Sequence, residues 1–112
     1  MEVSIRRDKD AVTLVVQGEV DFSNASQLER EIACQVSPTV ELDLKLLEFL
    51  DSSGAGAIVR AAARLFSRGQ VLRLASVPPE IKESLDLIGV FTVLETMERK
   101  ARERKEESGG DQ

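Results

Sequence analysis

Phe49-Leu50-Asp51-Ser52-Ser53-Gly54-Ala55-Gly56 is the stretch on which the fold of this chain turns. A strand-like apolar run breaks there at an acid, two hydroxyls and two glycines, and a long helical pattern follows. The first turn of a helix leaves backbone N–H groups without partners, so the spot receives hydroxyl oxygens, carboxylates or phosphate favourably. Gly54 and Gly56 are expected to keep that end bare, so that another protein's backbone or a nucleotide phosphate comes close. On the short string alone, ordinary N-capping by Asp or Ser accounts for these residues. The flanking sequence has to decide between the two.

Immediately before the stretch the apolar period is two: Val40, Leu42 and Leu44 face one way, Glu41, Asp43 and Lys45 the other, which predicts a strand with charge on its wetter side. After it, Ile58, Val59, Ala62, Leu65 and Phe66 recur at helical spacing as far as Gly69. Arg60, Arg64 and Arg68 mark the outer face of that helix, and a row of this kind is expected to be solvated surface rather than an anion site.

Further toward the N-terminus, Val3 and Ile5, a charged turn over Arg7-Asp8-Lys9-Asp10, and Val12, Leu14 and Val16 predict a hairpin whose second strand ends at Gly18. Phe22-Ser23-Asn24 offers a hydroxyl or an amide to cap a first helix. That helix carries Ala25, Leu28, Ile32 and Val36 on one face and stops before Pro38. Cys34, inside the same pattern, reads as a small buried or half-buried apolar residue.

On the C-terminal side, Val71 to Ala75 predicts a further strand. Pro78-Pro79 opens a helix with Ile81, Leu85 and Ile88 on its apolar stripe and Gly89 as its stop. Val90 to Leu94 is expected to add a last edge strand. Charge takes over from Glu95, with Met97 and Ala101 anchoring a turn or two before a solvated helix end and a disordered tail over residues 101–112. The fold class expected is α/β, a single domain with a mixed, mostly parallel sheet of four to five strands flanked by about four helices. Right-handed crossovers then place the serine pair at the end of the third strand.

The chain has 112 residues, 42% of them hydrophobic, enough for one core without disulfides. A net charge of −5 with dispersed Lys and Arg gives no footprint for non-specific nucleic-acid binding, and four Phe as the sole aromatics give no platform for single strands. There is no histidine, which removes the usual general base and the usual transition-metal ligand together, so Ser52 has no place in a Ser-His-Asp triad. No cofactor or metal is expected. The N-terminus lacks the layout of a secretory signal and no apolar run approaches the ~20 residues of a membrane helix, so a cytoplasmic location without membrane insertion is expected.

In that order of elements, the Phe49–Gly56 stretch resembles the signature of the STAS domains, found in bacterial anti-sigma factor antagonists and attached to sulphate transporters. Gly18-Glu19-Val20-Asp21 with the helix after it, Val40 to Leu44, and Pro79 to Phe91 resemble the matching parts of the family, so the likeness covers roughly residues 3 to 100 and implies a STAS domain over 1–100. Ala55 departs from the pattern, where many relatives carry a larger apolar residue. The resemblance implies that Ser52 is phosphorylated by an anti-sigma factor that is also a serine kinase, and that a metal-dependent serine phosphatase removes the phosphate. It further implies partner contacts at Asp21, Asp51, Ser53, Gly54 and Gly56, with Ser53 as the neighbouring cap. Unphosphorylated protein would bind the anti-sigma factor and free the sigma factor, a partner-switching regulator rather than an enzyme.

Two other readings remain at this level. A STAS-type subunit could dock onto a transporter ATPase or a signalling assembly through the same helix end, with no phosphate. A small anion or nucleotide binder is weaker, since no Gly-x-x-x-x-Gly-Lys-Ser/Thr loop is present and the arginine row runs away from the helix start.

Overall fold

The computed structural model describes residues 1–110. Alternating apolar residues form β1 (Glu2–Arg7) and β2 (Ala11–Val20), an antiparallel hairpin in which Val3 lies opposite Val16 and Ile5 opposite Leu14. Three further strands follow, β3 (Thr39–Asp43), β4 (Leu47–Leu50) and β5 (Val71–Ala75). The helices are α1 (Ala25–Ala33), α2 (Ser52–Ser67), α3 (Pro79–Ile88) and α4 (Val90–Gly110). The sheet order is β1-β2-β3-β5, with β4 paired to β2 off that path.

β2 is the spine. Its first half pairs parallel with β3, from Ala11 opposite Thr39 to Val15 opposite Asp43, and its last residues pair parallel with β4, Gly18 opposite Leu47 and Val20 opposite Leu50. The change of partner falls at Gly18, where φ is +97° and the register shifts before Glu19. Gly18 therefore bends β2 rather than ending it, as the sequence suggests, because a left-handed backbone at a bulge is open to glycine. The same feature makes β4 a strand in its own right, so Ser52 follows the fourth strand and not the third.

One face of the sheet is the core. Val12, Leu14 and Val16 from β2 and Val40 and Leu42 from β3 are fully buried with Leu28 and Ile32 of α1 and Ile58 and Leu65 of α2. Each such side chain contributes roughly 1.5–3 kcal/mol by leaving water. The arginine row of α2 is exposed but engaged: Arg60 Nε donates to Glu29 Oε1 at 2.7 Å, Arg64 reaches the other Glu29 oxygen at 3.5 Å, and Arg68 donates to the Ala33 carbonyl and to Gln70. The row clamps α2 to α1.

Other expectations are corrected. α1 ends at Ala33, so Val36 lies beyond the helix and is 86% exposed, and Cys34, at the C-cap, is exposed rather than buried. Val90 to Leu94 is the start of α4 and not an edge strand. Gly89 closes α3 in the left-handed conformation (φ +80°) and its carbonyl accepts from Val93, so the chain turns into a new helix. Val90 and Leu94, both buried, sit four apart, a spacing that a five-residue apolar run shares with a strand. α4 then continues through residues 101–110, where a disordered tail is expected; residues 111 and 112 lie outside the described residues.

Candidate functional site

The site is built where β4 gives way to α2. Asp51 has extended backbone (φ −94°, ψ −178°) and is the N-cap of α2, so its own N–H still belongs to the sheet end and donates to the Val20 carbonyl at 3.2 Å. Its side chain turns two ways: Oδ1 accepts the Gly54 N–H at 2.9 Å, and Oδ2 accepts the Phe22 N–H at 3.2 Å. One carboxylate thus satisfies an orphan helix donor and fastens the loop between β2 and α1 to the helix tip. Ser52 is the first residue of α2 and is exposed.

Asp21 belongs to that fastened loop, but its carboxylate is occupied locally. Oδ1 accepts from the Ser23 hydroxyl at 2.6 Å and from the Ser23 N–H at 2.9 Å. The hydroxyl first, and then the backbone N–H, hold the Asp21 carboxyl below the usual carboxylate range. Asn24, the N-cap of α1, makes no side-chain cap bond; its Oδ1 accepts from the Asp21 N–H and its Nδ2 donates to the Glu19 carbonyl, both at 3.0 Å. The polar side chains of this loop thus fix its shape.

The two glycines, expected to act alike, differ. Gly54 is buried, and a Cβ built on it would meet Leu50 Cδ1 at 2.4 Å and Val20 Cγ1 at 2.9 Å. It lets α2 lie against β4 and β2, so its lack of a side chain serves the interior rather than a docking face. At Gly56, half-buried, a Cβ would meet Arg60 Nη1 at 3.0 Å, the far end of a flexible side chain. Ser53 is half-buried, and the capping role expected of it falls to Asp51.

Two exposed apolar residues belong to the segments that meet at the start of α2, Phe22 through its backbone bond to Asp51 and Ile88 through a cleft shared with Ser52. Phe22, read as part of a helix start, is 86% exposed, and Ile88, read as part of the buried stripe of α3, is 52% exposed while Ile81 and Leu85 are buried. Ile88 and Ser84 line a cleft of about 250 Å³ with Leu50, Asp51, Ser52 and Ala55. An aromatic next to polar turn residues was the available sequence signal for Phe22; the three-four spacing of Ile88 concealed it. A larger cleft of about 440 Å³, lined by Thr39, Phe66, Arg73, Glu98 and Arg104 among others, lies by the first residues of β3 and β5, away from the strand ends that carry Ser52. Among the described residues no helix is long and apolar enough to cross a membrane.

A five-stranded mixed sheet with four helices, one of them starting at an exposed serine beside a capping aspartate, defines a small α/β domain. The chain belongs to the STAS domain family, whose profile matches residues 2–103. It is 29% identical over 96 residues to BtrV of Bordetella bronchiseptica, a candidate anti-sigma factor antagonist, with 83% of each chain covered. An anti-sigma factor antagonist from Mycobacterium paratuberculosis has the same fold, with a TM-score of 0.72 at 20% identity over 90% of this chain and 93% of that one. The phosphorylated form of the Bacillus cell fate determinant SpoIIAA superposes with a TM-score of 0.64 at 19% identity, covering 81% of this chain and 86% of that one.

Proposed function

We propose that this chain is an anti-sigma factor antagonist that works by partner switching in the cytoplasm, with Ser52 as its phosphoacceptor. Unphosphorylated, it binds an anti-sigma factor that is also a serine kinase, and so releases the sigma factor; the kinase phosphorylates Ser52, and a metal-dependent serine phosphatase restores the binding form. The chain itself acts by docking rather than by catalysis. Asp21, Asp51, Ser53 and Gly56 belong to the docking region, Asp51 by shaping it, while Gly54 supports it from beneath.

The observation that carries this reading is the exposed Ser52 hydroxyl at the first position of α2, directly after a capping Asp51 whose carboxylate is already engaged. A phosphate there adds about −1.5 to −2 charges and strong acceptor oxygens. The helix end tolerates that charge in the free protein. A partner packed over Phe22 and Ile88 has to desolvate it, and burying an unpaired charge costs several kcal/mol, against about 1.4 kcal/mol per tenfold in affinity.

The test is phosphorylation by the anti-sigma serine kinases of the source organism with ATP, read by intact mass and peptide mapping. One phosphate on the wild-type chain at Ser52, and none on Ser52→Ala, is expected. Phosphate at another residue, or an unchanged mass with every such kinase, overturns the assignment.

A further inference from the structure

β1 is an open sheet edge whose only guards, among the described residues, are the charges of Glu2, Arg6 and Arg7. Among the described residues it pairs with β2 alone, its register runs unbroken over six residues, and it holds neither proline nor bulge. Folded proteins normally shield such an edge, because its free amides and carbonyls template pairing with another strand. The direction of those free groups follows from the hairpin. Asp8 donates its N–H to the Ala11 carbonyl at 2.9 Å, so bonded pairs fall at Asp8/Ala11, Arg6/Thr13, Ser4/Val15 and Glu2/Gln17. Val3, Ile5 and Arg7 therefore turn their amides and carbonyls outward.

We propose that this edge is the contact between two copies of the chain, whose β1 strands pair antiparallel about a two-fold axis at Ser4, giving one sheet that runs through both molecules. The axis stands perpendicular to the sheet, so residues opposite one another must share a face, which restricts the register to pairings centred on a single residue. Centred on Ser4, Glu2 of each copy lies opposite Arg6 of the other, and Val3 lies opposite Ile5. Both ion pairs fall on the face away from the helices. Val3 and Ile5 fall on the helix-side face, in line with Val16 and Leu14, and cover Ile5, which is 49% exposed in the single chain. Centred on Ile5, the pairing sets Val3 against Arg7, Ser4 against Arg6, and Glu2 against Asp8. Centred on Val3, it leaves Glu2 opposite Ser4 and Arg6 unpaired. Charge complementarity thus selects a second copy as the occupant and Ser4 as the centre. β4 pairs with β2 on the side opposite β1, so the dimer keeps both Ser52 sites open.

Sedimentation velocity over a concentration series is expected to show reversible association to twice the chain mass. Glu2→Arg sets arginine against arginine, and Arg6→Glu sets glutamate against glutamate, so each alone weakens the dimer about tenfold or more. The double variant Glu2→Arg/Arg6→Glu restores opposite charges and recovers the wild-type association. In a Cys34→Ser background, Ser4→Cys forms an intermolecular disulfide on mild oxidation, because the axis brings the two residues into a close non-hydrogen-bonded pair, whereas Arg7→Cys does not. A monomer up to millimolar concentration, a dimer indifferent to the single reversals, a double variant no stronger than the singles, or cross-linking at position 7 in preference to 4 each overturns the proposal. Far-UV circular dichroism confirms that the exposed positions tolerate the changes.

Discussion

Asp51 binds Phe22 to the start of α2: its Oδ2 takes the Phe22 N–H at 3.2 Å and its Oδ1 the Gly54 N–H at 2.9 Å, although Phe22 and Asp51 stand 29 residues apart. A short acidic side chain at the helix N-cap is thus the joint between two loops that carry the candidate docking surface. Removing it should loosen both loops together.

Asp51→Ala is expected to lower stability by about 2 kcal/mol, from a lost cap worth ~1 kcal/mol and a second hydrogen bond worth roughly 0.5–1.5. Asp51→Asn, an equally good cap, keeps an acceptor oxygen for the Gly54 N–H but turns an amide NH2 toward the Phe22 N–H, so it should recover no more than about half of the loss. Urea midpoints at constant slope measure both, and an alanine variant within about 0.5 kcal/mol of wild type would mean that the joint contributes little.

Gly54→Ala and Gly56→Ala should move stability in opposite directions. At Gly54 the added methyl meets Leu50 and Val20 inside contact distance, and overpacking of this kind costs typically ~1–3 kcal/mol, more than the ~1 kcal/mol that alanine contributes to a helix. At Gly56 the methyl meets only the movable end of Arg60, so the helix gain of roughly 0.5–1 kcal/mol should appear. Thermal midpoints of the two variants, measured side by side, decide the matter.

Ser52→Asp should leave the fold intact while weakening partner binding. An acid at the first helical position gains a few tenths to ~1 kcal/mol from the helix end, and the neighbouring Asp51 offsets part of it, so a stability change below about 1 kcal/mol is expected. Affinity for the anti-sigma factor should fall about tenfold or more by calorimetric titration, while Ser52→Ala keeps wild-type affinity. Loss of fold in the aspartate variant would contradict a switch that acts through charge alone.

Asp21 gives a pH signature. Its carboxyl is held below the ordinary range by the Ser23 hydroxyl and then the Ser23 N–H. The unfolded carboxyl therefore takes up its proton first on acidification. Stability from this group is present above the ordinary Asp value and is lost as pH falls through the lower native value. Ser23→Ala should raise the Asp21 titration midpoint toward the ordinary range, measured by carboxyl-carbon NMR, and an unshifted midpoint would remove the hydroxyl as the cause.

Much of the fold is legible along the chain because period and punctuation agree. The alternation in β2 and β3, the helical recurrence of Ile58, Ala62 and Leu65, and Gly89 as a stop all reappear in the structure. The failures have physical causes. Gly18 looks like a strand end because a glycine that stops a strand and one that bulges it leave the same letter. Val90 to Leu94 is too short for its period to separate strand from helix, and tertiary packing of Val90 and Leu94 decides. At the site, the start of a helix at Ser52 was readable from the Asp-Ser-Ser-Gly punctuation, whereas the split between Gly54 and Gly56 depends on Val20, which lies 34 positions before Gly54. Phe22 could not be placed beside the helix tip without the Asp51 bond that brings it there.

The exchange of partners along β2 has a consequence for folding fidelity. A slip of β2 by one position would turn Val12, Leu14 and Val16 to the wrong side and, in the same movement, take the Val20 carbonyl away from the Asp51 N–H. Miswound chains would then lack a properly seated helix tip and offer nothing for another protein to grip. The strand register and the seating of the helix tip are thus settled together, as one cooperative step of folding.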